Sequence, residues 1–130
     1  MNTILSLVDD LEIIKEARSI IENEKNWTKN LMARTKDGNL VQSYSEEAVC
    51  WCMAGALHRA FNKFQLYGEY KGTTIVEEFN NIIKNQNTNS NGTPIHLNVS
   101  AFNDDPDTTH EDVLRVFDRV IEKYERRDGI

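Results

Sequence analysis

The first part of the chain places apolar residues at the spacing of an α-helix. Over residues 3–23, apolar side chains recur every three or four positions, and most charged residues fall off that stripe. Such a stripe is typical of an amphipathic helix that packs one face on a core. The pattern therefore predicts a helix over 3–23 and a connector over 24–42. Within the connector, Asp37-Gly38 is a turn dipeptide, which indicates a short hairpin or a single turn of helix.

A second helix is predicted over residues 43–66, and its middle is apolar on every side. Ser43 and Glu46 have the spacing of a capping box. No charged residue occurs between 48 and 57, and a helix that is apolar all round belongs in the centre of a small fold. Because Gly55 stands between two alanines, we expect a neighbouring helix to approach this one closely there.

The third helix is predicted to begin at Thr73 or Thr74, after a connector over 67–72 that contains two glycines. Its apolar stripe consists of Ile75, Val76, Phe79, Ile82 and Ile83. Residues 85–94 then form a polar loop rich in Asn. We expect this loop to be the flexible part of the chain.

Residues 95–101 leave two interpretations open. Apolar and polar residues alternate strictly there, which is the period of a strand. A strand in this position needs residues 31–35 or 39–42 as its hydrogen-bonding partner. A short helix after Pro94 is the competing interpretation.

A last helix completes the pattern. Thr108 and Glu111 have capping-box spacing, and an apolar stripe follows from Val113 to Tyr124. The whole pattern predicts a mainly α fold, in which residues 1–130 form a single compact domain. We expect about four principal helices around the central buried helix, with at most a minor β element.

Composition and charge narrow the class of protein. The chain has 130 residues, 39% of them hydrophobic, which suits one domain with one core. It carries 15 Lys+Arg against 21 Asp+Glu, a net charge of −6, and it has no basic stripe that could bind a nucleic-acid backbone. It has neither an apolar run long enough to span a membrane nor a basic leader ahead of its first apolar residues. We therefore expect a cytoplasmic protein that binds neither membrane nor nucleic-acid backbone.

Several short motifs occur together along the chain. They are Trp27, Ala33-Arg34, Trp51-Cys52-x-x-Gly55-Ala56 and Phe102-Asn103-Asp104-x-Pro106. In this order, over residues 10–125, they resemble a family of small bacterial and phage proteins known only as a domain of unknown function. This chain has Phe102 where the family leads us to expect tryptophan, and Asn30 where glycine often occurs. The resemblance implies a shared fold and brings no activity, substrate or cofactor.

Cys50 and Cys52 are the only cysteines of the chain. On a helix, residues two apart point about 200° from each other, so we expect two buried structural thiols and no metal site. A thiol hydrolase is the sharper alternative, with either cysteine as nucleophile, His96 as base and Asn103 as the residue that orients it. A position inside an apolar helix disfavours that alternative, because activated thiols lie at helix N-termini or beside cations.

The acidic stretch from Asn103 to Asp107 is a second candidate site. With His110 and Glu111 it offers ligands for a divalent cation. It lacks the glycine and the distal glutamate of a calcium-binding loop. We therefore expect a turn that leads into the last helix, and no bound metal.

Five residues are candidates for binding a small planar ligand such as a nucleobase. They are Trp27, Trp51, His58, Asn103 and Asp104. In this hypothesis His58 faces the Asn103-Asp104 turn across a cleft that the two tryptophans line. Core packing explains the aromatic residues equally well.

These observations favour a protein that does not catalyse a reaction, since no catalytic residue, cofactor site or phosphate-binding loop stands out. We expect a small acidic bacterial or phage protein that binds another protein, such as a host or defence component that it modulates. The first alternative is a small-ligand or nucleotide-binding protein that uses the aromatic and Asn-Asp residues. The second is the thiol hydrolase.

Overall fold

The structure is mainly helical, as the sequence predicts. This computed structural model describes residues 2–64 and 69–128, with side chains over 10–64 and 74–126. The helices within those residues are α1 (Asn2–Ile20), α2 (Met53–Lys63), α3 (Glu69–Gln86), α4 (Val99–Asp104) and α5 (His110–Asp128). Two short strands, β1 (Ala33–Arg34) and β2 (Cys50–Trp51), pair antiparallel. The prediction of a mainly α fold with a minor β element is confirmed.

The core lies where the longer helices meet. Helix α1 packs against α2 and α5, and α3 packs against α5. The predicted stripe of the last helix is buried from Val113 to Tyr124, and the rings of Phe79 and Phe117 meet edge to face with their centroids 4.9 Å apart. None of the described helices is both long enough and apolar enough to cross a lipid bilayer.

Helix α2 is shorter than predicted. It begins at Met53, so the prediction of a helix over 43–66 is wrong for residues 43–52. Those residues form turns and the strand β2, and the apolar run from 48 to 57 is divided between a strand and a helix. Periodicity alone does not separate two short buried elements that follow one another directly.

The cap of α2 also differs from the predicted capping box. The hydroxyl of Ser43 lies 2.6 Å from Nδ1 of His58. Ser43 precedes Met53, the first residue of α2, by many positions and therefore does not cap this helix. The residue that caps α2 is Cys52, whose Sγ accepts a hydrogen bond from the backbone N–H of Gly55 at 3.3 Å. The helix therefore starts on a cysteine, which the usual N-cap preferences do not predict.

Gly55 allows a close approach, as expected, but its neighbour is the irregular segment just before β1 instead of a helix. A Cβ atom at Gly55 would lie 1.9 Å from the backbone carbonyl oxygen of Met32. The same oxygen accepts a hydrogen bond from the N–H of Cys52 at 3.2 Å. The first turn of α2 is thus pressed directly against the backbone that precedes β1.

The connector contains the hairpin that Asp37-Gly38 indicates. Gly38 adopts a φ of 87°, in the left-handed region that glycine favours. Across the hairpin, the N–H of Val41 donates to the carbonyl of Ala33 at 3.2 Å, and the N–H of Thr35 donates to that of Asn39 at 2.9 Å. Strand β1 therefore has β2 on one side and the segment around Leu40 on the other.

Of the two interpretations left open for residues 95–101, the strand is not formed, and a short helix is formed over the last three of these residues. Helix α4 begins at Val99, and the side chain of Asn98 caps it by accepting from the N–H of Ala101 at 2.8 Å. The segments considered as strand partners, 31–35 and 39–42, pair with each other instead. A local cap therefore decided the structure where alternation suggested a strand.

The start of α3 also differs from its prediction. This helix begins at Glu69, ahead of Thr73 and Thr74, while residues 67 and 68 of the predicted connector lie outside the described residues. After α3, the polar loop folds into a turn in which the N–H of Asn89 donates to the carbonyl of Thr93 at 2.7 Å. The flexibility of this loop stays a prediction.

Helix α5 begins one residue later than its predicted capping box. Thr109 Oγ1 accepts from the N–H of Asp112 at 3.1 Å, and Asp112 Oδ2 accepts from the N–H of Thr109 at 3.0 Å. This reciprocal pair replaces the predicted pair of Thr108 and Glu111. The type of cap was predicted correctly and its position was one residue early.

Candidate functional site

Asn103 connects three parts of the fold through its side chain. It lies in α4 and is 0% exposed. Its amide oxygen accepts from Trp27 Nε1 at 2.8 Å and from the N–H of Met53 at 3.1 Å, while its amide nitrogen donates to the carbonyl of Thr28 at 3.1 Å. Asn103 therefore joins α4 to the start of α2 and to the segment that follows α1.

Asp104 continues this network toward Asn30. Its Oδ1 accepts from the N–H of Asn30 at 2.8 Å and from the amide of Asn103 at 3.0 Å. Asn30 has a φ of 74°, in the left-handed region, where asparagine is the most tolerated residue after glycine. The backbone conformation at this position is therefore one that asparagine adopts readily.

Trp51 and His58 belong to a different cluster, centred on Ser43. Trp51 Nε1 donates to the carbonyl of Ser43 at 2.8 Å. The guanidinium of Arg59 lies 4.9 Å from the Trp51 ring centroid and donates to the same carbonyl at 2.9 Å. His58 contacts the Ser43 hydroxyl and the ring of Tyr44. The expectation that His58 faces the Asn103-Asp104 turn is therefore wrong, because residues 43 and 44 lie outside α2 and pack against this side chain.

The five predicted ligand-binding residues are thus divided between two clusters. Trp27, Asn103 and Asp104 are brought together, and Trp51 and His58 meet around Ser43. The two clusters are joined through the backbone, where the N–H of Thr28 donates to the carbonyl of Trp51 at 3.0 Å. That these residues bind a small ligand stays a prediction.

The two cysteines do not lie inside a helix. Cys50 is in β2 and half-buried, and Cys52 is the N-cap of α2 and only 6% exposed. The two cysteines therefore do not point from opposite faces of one helix, and helix geometry does not keep them from binding one ion. Burial nevertheless raises the pKa of the Cys52 thiol, which keeps it protonated at neutral pH.

His96, the base of the hydrolase hypothesis, is paired with a carboxylate. Its Nε2 lies 2.7 Å from Asp105 Oδ2, and its Nδ1 is buried without a hydrogen-bond partner in the described part of the chain. The pKa of Asp105 is below its usual value, first because the N–H of Asp107 donates to it and then because of His96. Asn103, the expected orienting residue, bonds to Trp27 and Met53 instead.

A polar cavity of about 270 Å³ adjoins this pair. It lies between the end of α3, the turn after α4 and the first turns of α5, and both signs of charge line it. Arg115 pairs with Asp112 at 3.1 Å, and Arg119 donates to the side-chain oxygen of Gln86 at 2.7 Å. The cavity has the chemistry to hold a small polar molecule that carries both hydrogen-bond donors and acceptors.

An apolar groove of about 430 Å³ lies on the outer side of the hairpin, next to α2. Its lining consists of Met32, Leu40, Val41, Gln42, Ser43 and His58. Leu40 is 65% exposed and Met32 is 39% exposed, so two large apolar side chains face solvent at one place. Of the predicted site residues, His58 alone is among this lining. Sequence reasoning missed the groove, although apolar residues on both sides of the Asp37-Gly38 turn were a signal for an exposed hairpin face.

Comparison with known proteins identifies a family for this chain. No curated protein matches it, and no solved structure matches it either. A family model described as a family of unknown function, DUF6197, matches residues 6–123. Since that match spans nearly all of the 130 residues, the chain belongs to this family of unknown function.

Proposed function

We propose that this protein acts by binding another protein and catalyses no reaction, and that the partner docks in the apolar groove. The observation that carries the proposal is the groove itself, where Leu40 and Met32 stay largely exposed beside a cavity of about 430 Å³. None of its lining residues is Asp, Glu, Lys or Arg. Burying one such apolar side chain contributes about 1.5–3 kcal/mol, so a partner that fills the groove gains affinity there.

The surrounding contacts support docking at this place. The residues on one side of the groove belong to a segment that packs against the rest of the fold. In that segment, the backbone of Met32 contacts Gly55, and the side chain of Ala33 is fully buried. A surface that is already ordered loses little conformational entropy when a partner binds. The partner is therefore expected to meet a formed groove.

The catalytic alternative has less support. The thiol of Cys52 is buried and its pKa is raised, while the imidazole of His96 is engaged by Asp105. Cys52 does lie at the N-terminus of α2, where backbone N–H groups favour a thiolate, but burial outweighs them and its pKa is raised, whereas an activated thiol has a lowered pKa. Both cysteines are free thiols, which is usual in a reducing compartment, and we place the protein in the cytoplasm of a bacterial or phage-infected cell.

The test compares two leucines of nearly equal exposure. Leu40 lies in the groove and is 65% exposed, whereas Leu97 lies outside its lining and is 60% exposed. Tagged wild type, Leu40→Glu and Leu97→Glu are each used to retain proteins from a host lysate, and the retained proteins are quantified. We expect at least one protein to be retained by wild type and by Leu97→Glu and to be depleted about tenfold on Leu40→Glu. If every retained protein is indifferent to Leu40 while both variants keep the helical circular dichroism of wild type, the proposal is wrong.

A second candidate function, binding of a small polar molecule, is favoured by the polar cavity beside His96. The guanidinium of Arg119 faces a neutral amide there instead of a carboxylate. A ligand that binds the folded state alone raises the melting temperature, and the rise grows with the logarithm of the free ligand concentration above Kd. A panel of amino acids and nucleotides is expected to stabilise wild type more than Arg119→Gln if this cavity is used, and a panel without any such difference argues against it.

A further inference from the structure

The outer edge of the hairpin presents backbone groups that have no hydrogen-bond partner in the described part of the chain. The two bonds between β1 and the returning segment flank Leu40, one from Val41 N–H to Ala33 and one from Thr35 N–H to Asn39. In an antiparallel pair, the residue between two such bonds directs its own N–H and C=O away from the partner strand. Within the described residues, neither of these groups of Leu40 has a hydrogen bond, and the N–H of Gln42 has none either.

This edge is short, and it carries neither of two features that commonly protect an exposed strand, charged residues and proline. Charged residues, proline and bulges are the usual protection against pairing with another chain. The edge residues 39–42 read Asn-Leu-Val-Gln, so they contain no charged residue and no proline. Lys36 and Asp37 lie at the hairpin tip, and Glu46 lies beyond the following turn.

The apolar groove lies beside these open backbone groups. Leu40 contributes its side chain to the groove and its N–H and C=O to the edge. An extended segment uses both features, because its backbone pairs with the edge while its alternate side chains point into the groove. A helical segment has no free backbone groups to offer and would leave the edge to water.

Resting on the proposed function, we propose that the partner supplies an extended segment, which adds as a strand along Leu40–Gln42 and inserts an uncharged apolar side chain into the groove. The choice of an uncharged side chain follows from charge complementarity, since the groove lining contains no Asp, Glu, Lys or Arg. Three open groups provide only a short pairing, so the groove supplies most of the affinity. The backbone bonds fix the direction and register of the segment.

The experiment uses a library of short random peptides, selected for binding to the immobilised full chain. Enriched peptides are expected to carry apolar residues at alternate positions and to lose about tenfold in affinity for Leu40→Glu but not for Leu97→Glu. In the best peptide, N-methylation at alternate residues is expected to weaken binding about tenfold, and at the intervening residues only slightly. Hydrogen exchange of the protein supplies the second readout. Peptide binding is expected to slow the amides of Leu40 and Gln42, whereas the amides of Asn39 and Val41 already have partners in the free protein.

The outcomes separate this inference from the proposed function. If peptides bind in a Leu40-dependent way but leave the exchange of the Leu40 and Gln42 amides unchanged and tolerate every N-methylation, strand addition is wrong and protein binding still stands. The same conclusion holds if a Leu40-dependent protein partner exists but no peptide is enriched. A concentration-dependent dimer that Leu40→Glu abolishes would show that a second copy of the chain occupies the edge, and would overturn the inference. If neither a peptide nor a protein depends on Leu40, the proposed function is wrong and the inference falls with it.

Discussion

Replacing Gly55 with alanine should destabilise the fold, although alanine is the better helix-forming residue. Gly55 lies in the first turn of α2, and an added Cβ would lie 1.9 Å from the carbonyl oxygen of Met32 and 2.8 Å from its carbonyl carbon. Both are backbone atoms, so rotation of a side chain does not relieve the overlap. The backbone around Met32 must move by about 1 Å before the contact becomes acceptable.

The magnitude follows from three contributions. Overpacking of this kind costs about 1–3 kcal/mol. The upper end applies here, because the overlapping atoms belong to the backbone and cannot rotate away. Moving Met32 also weakens the hydrogen bond from Cys52 N–H to its carbonyl, now 3.2 Å long, which contributes about 1 kcal/mol. The gain in helix propensity from glycine to alanine offsets about 1 kcal/mol. The net expectation is a loss of about 3 kcal/mol in the free energy of unfolding.

Urea denaturation followed by tryptophan fluorescence measures this change, because Trp51 is in the strand next to the displaced segment. Asn62→Ala, an exposed substitution in the same helix, is the control and is expected to change the free energy of unfolding by less than about 0.5 kcal/mol. The sign of the change in the free energy of unfolding shows whether the close contact at Gly55 outweighs the helix propensity of alanine. Without the close contact, Gly55→Ala would stabilise the protein by about 1 kcal/mol, so a midpoint equal to or above that of wild type would refute the reasoning.

Further predictions concern the hydrogen bonds of Asn103, the two cysteines and the loss of stability at acid pH. Asn103→Ala should lower the free energy of unfolding by about 3 kcal/mol, because Trp27 Nε1 and the buried N–H of Met53 lose their acceptor. A loss below about 1 kcal/mol in chemical denaturation would contradict this. A disulfide reagent at mildly alkaline pH should label half-buried Cys50 well before Cys52, because the Cys52 thiol is buried and its pKa is raised. Labelling is measured in Cys50→Ser and Cys52→Ser, each of which keeps one thiol, and equal rates in the two variants would show that Cys52 is accessible. The pKa of Asp112 is held below its usual 3.8, first by the backbone N–H of Thr109, so its contribution to stability is present above about pH 4 and is lost as pH falls through the folded-state value. The stability gap between wild type and Asp112→Asn should therefore be largest near neutral pH and shrink toward pH 3 in thermal unfolding, and a constant gap would contradict the assignment.

The elements that the sequence predicted well are those governed by local period. The stripe of the last helix is visible in the sequence because its residues meet the core at intervals of three and four, and Val113, Phe117 and Val120 are fully buried. The same rule failed at residues 48–57. There a strand and a helix follow one another, and both are apolar. What separates them is the contact of Met32 with Cys52 and Gly55, which is distant in sequence and leaves no periodic signal.

The candidate site was predicted less well for a related reason. Trp27 and Asn103 were chosen because their residue types suit ligand binding, and the structure joins them to each other across 76 positions of sequence. Buried polar side chains are satisfied by partners of this kind, so the residue types Asn and Trp alone do not distinguish a structural network from a ligand site. The sequence does not mark Leu40 as a site residue, because an apolar residue in a loop has no recognisable chemistry. Its significance arises from the hairpin that exposes it.

The hairpin derives its proposed role from being fixed on one side and open on the other. On its inner side, Gly55 receives the backbone of Met32, and the guanidinium of Arg34 donates to Thr28 Oγ1 at 2.8 Å and to the carbonyl of Lys29 at 2.9 Å. These contacts hold β1 in place without any contribution from the outer edge at Leu40. An edge held in this way keeps its geometry when the outer side is vacant, which is the condition for binding an incoming strand at low entropic cost. The contact by which Gly55 is predicted to stabilise the fold is therefore the same contact that would prepare the groove for a partner.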